Sequence, residues 1–509
     1  MALTITHART LNSELDERVR LQPDKTWLVF QPVEGEPLTL TYAQFAEHVN
    51  RTANALLRQD IRPSDRLLLI LPNCPEFLYL WFAAARIGAV IVPVNPLSSD
   101  SELDYLAKHS EAVLVAVHAS GVDRGFRLGL RHVLVCGDNA PENSPGRLLK
   151  EAPATPPPDR VTHAQDDVAI LYTSGTTSRP KGCLITHANY IHAGEAVAQH
   201  AGIRADDRNL VVLPYFHGNA QYYSTMSALV TGATLVVADR FSASRFWDIA
   251  AQHRATILSL FAAPMRMLLA QAERRMPDHR PRLAFFAQSI TPAQLDEWQR
   301  RFGVPLLQIY GMTEQLGWPM ANPLWGLRNN MTIGRATLPF RCRVVDDQGR
   351  DVPPGTPGQL LVHGIPGTSL MRGYYKNPEA TAEAIRDGWL WTGDNVRERD
   401  DGLFDFVDRA KDMIKRAGEN VAASEVEAVL KAHPAVFDAA VIGVPDPLRD
   451  EAIKAYVVLR DGTTATAQEL IAWCAERLAK FRVPELVEFR AQLPRTSVGK
   501  IQKHLLRAE

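Results

Sequence analysis

The sequence predicts an α/β protein. A large N-terminal domain of parallel-rich α/β sheets with a small β subdomain is followed by a small mobile α+β C-terminal domain. Three observations lead there. Helical and strand patterns alternate from Tyr42 to Ile309, which implies parallel strands joined by crossover helices. Beyond about residue 335 the texture changes to short strands and turns such as Pro353-Pro354-Gly355 and Pro357-Gly358, the composition of a small β unit. The last hundred residues or so then carry their own strands and helices. The charged segment Asp408–Lys411, between strand-like Leu403–Val407 and Met413–Lys415, places the boundary, giving domains 1–408 and 409–509.

Taken in order, Tyr42–Gln59 has apolar residues at helical spacing and Arg66–Leu71 is a strand-like run. Pro75–Ile87 reads as helix, Val90–Val94 as strand, Leu103–His109 as helix and Ala112–Val117 as strand. A loose region follows, with Pro141, Pro145 and Pro156-Pro157-Pro158. Val168–Tyr172 is a short buried strand, and Thr186 is placed to cap a helix starting near His187. Leu210–Leu213, Thr234–Val237, Thr256–Phe261, Leu283–Phe286 and Leu306–Ile309 are further strands. In the C-terminal part Ser424 with Glu427 reads as a capping box for a helix through Lys431, and Thr466 with Glu469 as another for a helix reaching Leu478. Ala439–Val444, Ile453–Leu459 and Leu486–Phe489 complete it as strands.

Composition excludes several functional classes. Among 509 residues, a net charge of −1 offers no support for nucleic-acid or membrane attraction as the main business. The five cysteines (Cys74, Cys136, Cys183, Cys342, Cys474) are scattered and odd in number, which argues against a disulfide framework or zinc site. Met1–Arg20 is polar and has no signal-peptide core. The most apolar segment, Phe77–Val94, is interrupted by Arg86, Gly88 and Pro93, so it reads as core helix and strand instead of a membrane span. A cytoplasmic location is expected, as a monomer or homodimer.

Leu171–Gly182 concentrates the chemistry. Thr173, Ser174, Thr176 and Thr177 supply hydroxyls, Gly175 and Gly182 supply exposed backbone N–H groups, and Lys181 supplies an ammonium. Placed in a strand-to-helix turn, such a set can hold phosphate oxygens; a solvated Ser/Thr/Gly loop is the other reading. The nucleotide-hydrolase P-loop fails here. From Gly175 the four spacers are followed by Pro180-Lys181-Gly182, so the second glycine and the Mg²⁺-binding hydroxyl after lysine are absent. A phosphate loop of another kind remains, and any metal needs a ligand from elsewhere.

Five stretches together resemble the adenylate-forming superfamily of acyl-CoA synthetases, peptide-synthetase adenylation domains and luciferases. They are Tyr172–Gly182, Tyr310–Glu314 (Tyr-Gly-Met-Thr-Glu), Trp389–Asp394 (Trp-Leu-Trp-Thr-Gly-Asp), Asp408–Glu419 and Leu493–Lys500 (Leu-Pro-Arg-Thr-Ser-Val-Gly-Lys). They occur in the family's order across nearly the whole chain. The stretches Thr173–Gly182, Gly364–Tyr374 and Glu451–Leu459 look closest to the carnitine/crotonobetaine-CoA ligase branch.

The resemblance implies two half-reactions. A carboxylate attacks the α-phosphate of ATP, giving an acyl-adenylate and pyrophosphate, and the thiol of coenzyme A then displaces AMP. It further implies roles for matching residues. Lys500 stabilises the carboxylate and α-phosphate during adenylation, Glu314 holds Mg²⁺, Thr313 contacts the α-phosphate and Tyr310 stacks on adenine. Asp394 accepts from the ribose hydroxyls and Arg409 adds a ribose or phosphate contact. Lys411 is the hinge about which the C-terminal domain turns, bringing Ala417-Gly418-Glu419 to the pantetheine channel. His217, in Pro-Tyr-Phe-His-Gly, lies between the acyl pocket and the nucleotide. His187 is expected to be structural.

Acyl-pocket candidates are Asn219, Gln221, Tyr222 and Tyr223, with Gln288, Leu316 and Trp318. These are aromatic and polar, which suits a small or medium polar, aromatic or quaternary-ammonium acid better than a long alkyl chain. One departure stands out: Ala287-Gln288-Ser289 replaces the Gly-Gly-Ala/Ser common in the family, which puts the adenine contacts there in question. Transfer to an amine or a carrier-protein thiol in trans, and a non-enzymatic nucleotide sensor, are the alternatives. The sensor predicts loss of Lys500, Glu314 or Asp394, and all three are present.

Overall fold

The computed structural model describes residues 9–137, 151–158, 162–173, 180–288, 290–409, 412–416, 419–446, 450–495 and 501–507. Ser174, Gly175, Thr176, Thr177, Lys411, Gly418 and Lys500 therefore lie outside the described residues, and the side chain of Arg409 does as well.

Two large sheets form the N-terminal part. The first has nine strands. Its centre is parallel: Thr26–Gln31, Thr234–Ala238, Arg208–Val211, Ile257–Phe261, Leu283–Ala287 and Leu306–Tyr310 pair side by side. The second has seven strands, with parallel Ala112–His118, Arg66–Ile70, Val90–Pro93 and Asp167–Thr173 at its core. Strands such as Thr234–Ala238 are buried at every position, as expected where helices cover both faces of a parallel sheet. The expected elements are present to within a few residues. Tyr42–Arg58 is capped by Thr41, and Pro75–Ile87 begins on a proline and ends at left-handed Gly88, the usual asymmetry of helix ends.

One local expectation is corrected. Lys181 does not close a strand-to-helix turn. Lys181–Thr186 is itself a strand, antiparallel to Asp167–Thr173, with Thr173 opposite Lys181. The helix follows it as His187–Ala201, with Thr186 in a complete capping box. Gly182 permits the pairing, because a Cβ there would stand 2.6 Å from Ile170 Cγ2. The two-residue alternation of Lys181–Thr186, with Cys183 and Ile185 inward, is the signal that a loop-centred reading passes over.

The antiparallel sheet Arg341–Val345, Gly358–His363, Trp389–Glu398, Phe404–Arg409, with the short Ile385–Arg386, forms the small β unit. Residues 413–489 contribute a separate five-stranded sheet with its own apolar core of Ile414, Val426, Val441, Ile453 and Val457. Helices Ala423–Lys431 and Ala467–Ala475 cover it. Thr466 and Glu469 form the expected box; Ser424 and Glu427 do not. The helix is capped at Ala422 with no side-chain cap, Ser424 Oγ donates to Val407 O, and the Glu427 carboxylate is used elsewhere. Among the described residues no helix is long and apolar enough to cross a membrane, and the five cysteines are free.

Candidate active site

The site is assembled at strand ends, where open α/β sheets leave a crevice for ligands. Leu306–Tyr310 ends at Tyr310, and Gly311 follows under tight steric control, since a Cβ there would meet Tyr223 Oη at 2.5 Å. Glu314 and Gln315 are then sewn to a distant segment: Met371 N donates to Glu314 O at 3.0 Å, and Gln315 bridges Leu370. That segment runs on to Gly373 and Tyr374, which pair with Leu184 and Cys183 at the edge of the seven-stranded sheet. Thr186 and Asn189, at the start of the next helix, hold it from below through Gly367 O, Thr368 O and Leu370 O. Backbone pairing thus carries Glu314 to the strand that bears Lys181.

The side chains complete the link. Lys181 Nζ sits 5.0 Å from the centre of the Tyr374 ring, a cation–π distance. Tyr374 Oη donates to Glu314 Oε1 at 2.9 Å. Glu314 is 5% exposed, so its carboxylate is placed in a site of reduced dielectric. Burial, with Glu314 beside it, pushes the Tyr374 hydroxyl far above its ordinary pKa, and it remains a proton donor. Tyr374 was not among the expected site residues. Its role depends on a pairing between residues 183 and 374, which no local pattern reports. Tyr374→Phe keeps the ring under Lys181 and removes the bond that aims Glu314; kcat is expected to fall about tenfold with thermal stability lowered by ~1 kcal/mol.

A second pair joins two of the sequence motifs. Tyr310 Oη donates to Asp394 Oδ2 at 2.7 Å, and both residues are buried. Asp394 lies on Trp389–Glu398 opposite Arg409, and Thr392 Oγ1 accepts from its backbone N–H. Tyr310, Met320, Phe340, Leu360 and Val396 share one apolar cluster, so the small β unit is packed on the strand that ends in the Tyr-Gly-Met-Thr-Glu motif. Thr313 is half-buried beside Glu314, and Thr173 Oγ1 lies 3.4 Å from Lys181 O. His187 is buried, accepts from Leu11 N, and burial pushes its pKa down to about 4, so it packs as a neutral core residue.

The acyl-pocket candidates surround an aromatic nest. Asn219–Met226 is wound as a π-helix, a rare form often found at functional sites. Tyr223 meets Trp318 edge-on at 5.5 Å, Trp318 meets Phe285 at 4.7 Å, and Tyr222 packs on Tyr190 at 5.6 Å. Ser259 Oγ donates to Asn219 Oδ1 at 2.7 Å, while Gln221 is held by Tyr190 Oη and Tyr215 O. Leu316 is fully buried, and half-buried His217 stands beside Phe216. The Tyr222 hydroxyl and the Trp318 indole N–H are buried without a hydrogen-bond partner among the described residues. Gln288 keeps a glycine-like backbone, with φ at +79°. For a residue with a Cβ this stores about 1 kcal/mol of strain, in a conformation that glycine adopts without it.

Side chains from three sequence motifs, Lys181, Glu314 with Tyr310, and Asp394, are thus linked at these strand ends. Residues 15–375 match the family described as AMP-binding enzyme, and residues 425–500 match the AMP-binding enzyme C-terminal domain. The chain belongs to this family of adenylate-forming enzymes and is an enzyme of the acyl-CoA ligase class. It is 38% identical to the crotonobetaine/carnitine–CoA ligase of Citrobacter koseri, across 99% of this chain and 100% of that one. Among solved structures it resembles ATP-bound MatB from Rhodopseudomonas palustris (28% identity, TM-score 0.87, covering 98% and 99% of the two chains). It also resembles the anthranilate CoA ligase AuaEII in complex with anthranoyl-AMP (25% identity, TM-score 0.89, covering 98% and 97%).

Proposed function

We propose that the protein joins a small or medium polar, aromatic or quaternary-ammonium acid to coenzyme A in two steps. The acid's carboxylate oxygen attacks the α-phosphorus of ATP; the bond to the bridging oxygen breaks and pyrophosphate leaves. The thiol sulfur then attacks the acyl carbon, loses its proton to solvent or a base, and expels AMP. The observation that carries this is the chain Lys181–Tyr374–Glu314, beside Tyr310–Asp394, which draws three separate sequence motifs into one site.

In this assignment Thr173, Ser174, Gly175, Thr176, Thr177 and Lys181 hold the β- and γ-phosphates and Thr313 the α-phosphate. Asp394, already accepting from Tyr310, takes the ribose hydroxyls with Arg409 alongside. Tyr310 supports the adenine from a fixed ring, its rotation restrained by that bond. Lys500 neutralises charge where carboxylate and α-phosphate meet. The C-terminal domain, from residue 409, turns about Lys411 and presents Gly418 to the pantetheine arm, while His217 lines the thiol's approach.

Mg²⁺ fits the donor set. Glu314 offers one hard, buried carboxylate aligned by Tyr374, and a magnesium ion held by one carboxylate takes its remaining ligands from phosphate oxygens and water. When bound, it offsets phosphate charge during displacement.

For the acid, the nest around Trp318, Tyr222 and Tyr223 is aromatic, and its two unspent donors favour polar atoms over an alkyl tail. The 38% identity to a crotonobetaine/carnitine–CoA ligase supports a quaternary-ammonium acid. Pyrophosphate release measured with crotonobetaine, carnitine, benzoate and octanoate tests this. The highest kcat/KM is expected with a quaternary-ammonium acid, and a preference for octanoate would overturn the assignment. AMP release that required an amine or a carrier protein in place of coenzyme A would overturn the acceptor.

A further inference from the structure

Glu427, freed from helix capping, sits in a buried ion network. It accepts from Val441 N at 2.9 Å and pairs with Lys503 at 2.8 Å. Asp438, 6% exposed, pairs with Arg495, and Lys431 stands 3.4 Å from Asp438 and 3.9 Å from Glu427. Two carboxylates on adjoining elements, helix Ala423–Lys431 and strand Val436–Asp446, thus hold three cations.

The placement of those cations is what matters. Arg495 and Lys503 flank residues 496–500, which themselves lie outside the described residues, and Lys500 is the residue before Ile501. The two ends are tied to each other as well: Arg495 bridges Ile501, and Gln502 N donates to Pro494 O at 2.8 Å. Leu493 and Leu506 are buried in one cluster with Tyr456, whose hydroxyl donates to Leu506 O at 3.1 Å. Arg507 reaches Asp412 at 2.8 Å, next to the expected hinge. Burial opposes the charge on Lys503, yet Glu427, Asp408 and Asp412 override it and its pKa stands above the ordinary lysine value.

A buried ion pair adds little net stability over apolar packing, but removing one partner is costly and the pair fixes a single register. We infer that Glu427 and Asp438 are positioning residues for adenylation, clamping the two ends of the segment that carries Lys500 so that its ammonium meets the reacting phosphate. This rests on the role proposed above for Lys500.

The test measures both half-reactions in Glu427→Gln, Asp438→Asn and Lys500→Ala: acid-dependent pyrophosphate–ATP exchange, and thioester formation from supplied acyl-adenylate and coenzyme A. Each positioning variant is expected to lower the exchange kcat by roughly tenfold to 100-fold, because a misplacement of about 1 Å has that scale of effect. The KM for ATP and the thioester step stay within about twofold, since the latter does not use Lys500. Glu427→Asp, which keeps the charge, recovers part of the loss. Equal loss in both half-reactions, or exchange at the wild-type rate, would overturn the clamp while leaving the function intact. Should Lys500→Ala itself retain exchange, the role of Lys500 and the clamp fall together.

Discussion

Replacing Lys500 by alanine is expected to lower the rate of acyl-adenylate formation by about 100-fold to 1000-fold, the range for losing one preorganised donor at developing charge. Thioester formation from supplied acyl-adenylate should continue near the unmodified rate. The asymmetry follows from charge. Adenylation brings an anionic carboxylate to an anionic phosphate, so it needs a cation at the point of contact. The second step expels AMP from a neutral acyl carbon, where no carboxylate approaches the phosphate. Lys500 lies more than three hundred residues from the phosphate loop, and a domain that carries it can withdraw it between steps. Parallel kinetics of the two half-reactions in Lys500→Ala are the check.

Glu314→Gln is expected to have the next largest effect, a loss in kcat on the order of 100-fold, matching several kcal/mol of transition-state charge stabilisation. The half-saturating Mg²⁺ concentration should rise about tenfold or more, since the ion is reluctant to bind without an anionic oxygen. The fold should survive. The glutamine amide oxygen still accepts from Tyr374, whose bond to Oε1 is 2.9 Å in the native chain, and the buried site then no longer carries a charge. Unchanged Mg²⁺ dependence in this variant would remove Glu314 from the ion's shell.

The pattern of what was legible in the sequence has a physical cause. Strands such as Leu306–Tyr310 and helices such as Pro75–Ile87 announce themselves, because their periodicity and end signals are local. Contacts made by distant pairing do not. Tyr374 reaches Glu314 only because Gly373 and Tyr374 pair with Leu184 and Cys183, and nothing near residue 374 hints at it. Ser424 and Glu427 have the spacing of a capping box, but tertiary partners at Val407, Val441 and Lys503 outcompete the cap. The strand Lys181–Thr186 is hard to read for another reason: its two-residue alternation is short and follows directly on a stretch crowded with hydroxyls and glycine. Gln288 is the opposite case. The departure from glycine is legible in the sequence, and only the backbone angle shows that Gln288 takes a left-handed conformation.

The most direct test of the two-step account is acid-dependent exchange of labelled pyrophosphate into ATP in the absence of coenzyme A. The account predicts exchange that needs the acid and Mg²⁺ but no thiol, with an acyl-adenylate recoverable from the enzyme and converted to thioester and AMP once coenzyme A is added. Exchange only in the presence of coenzyme A, or the appearance of ADP and inorganic phosphate as products, would contradict it.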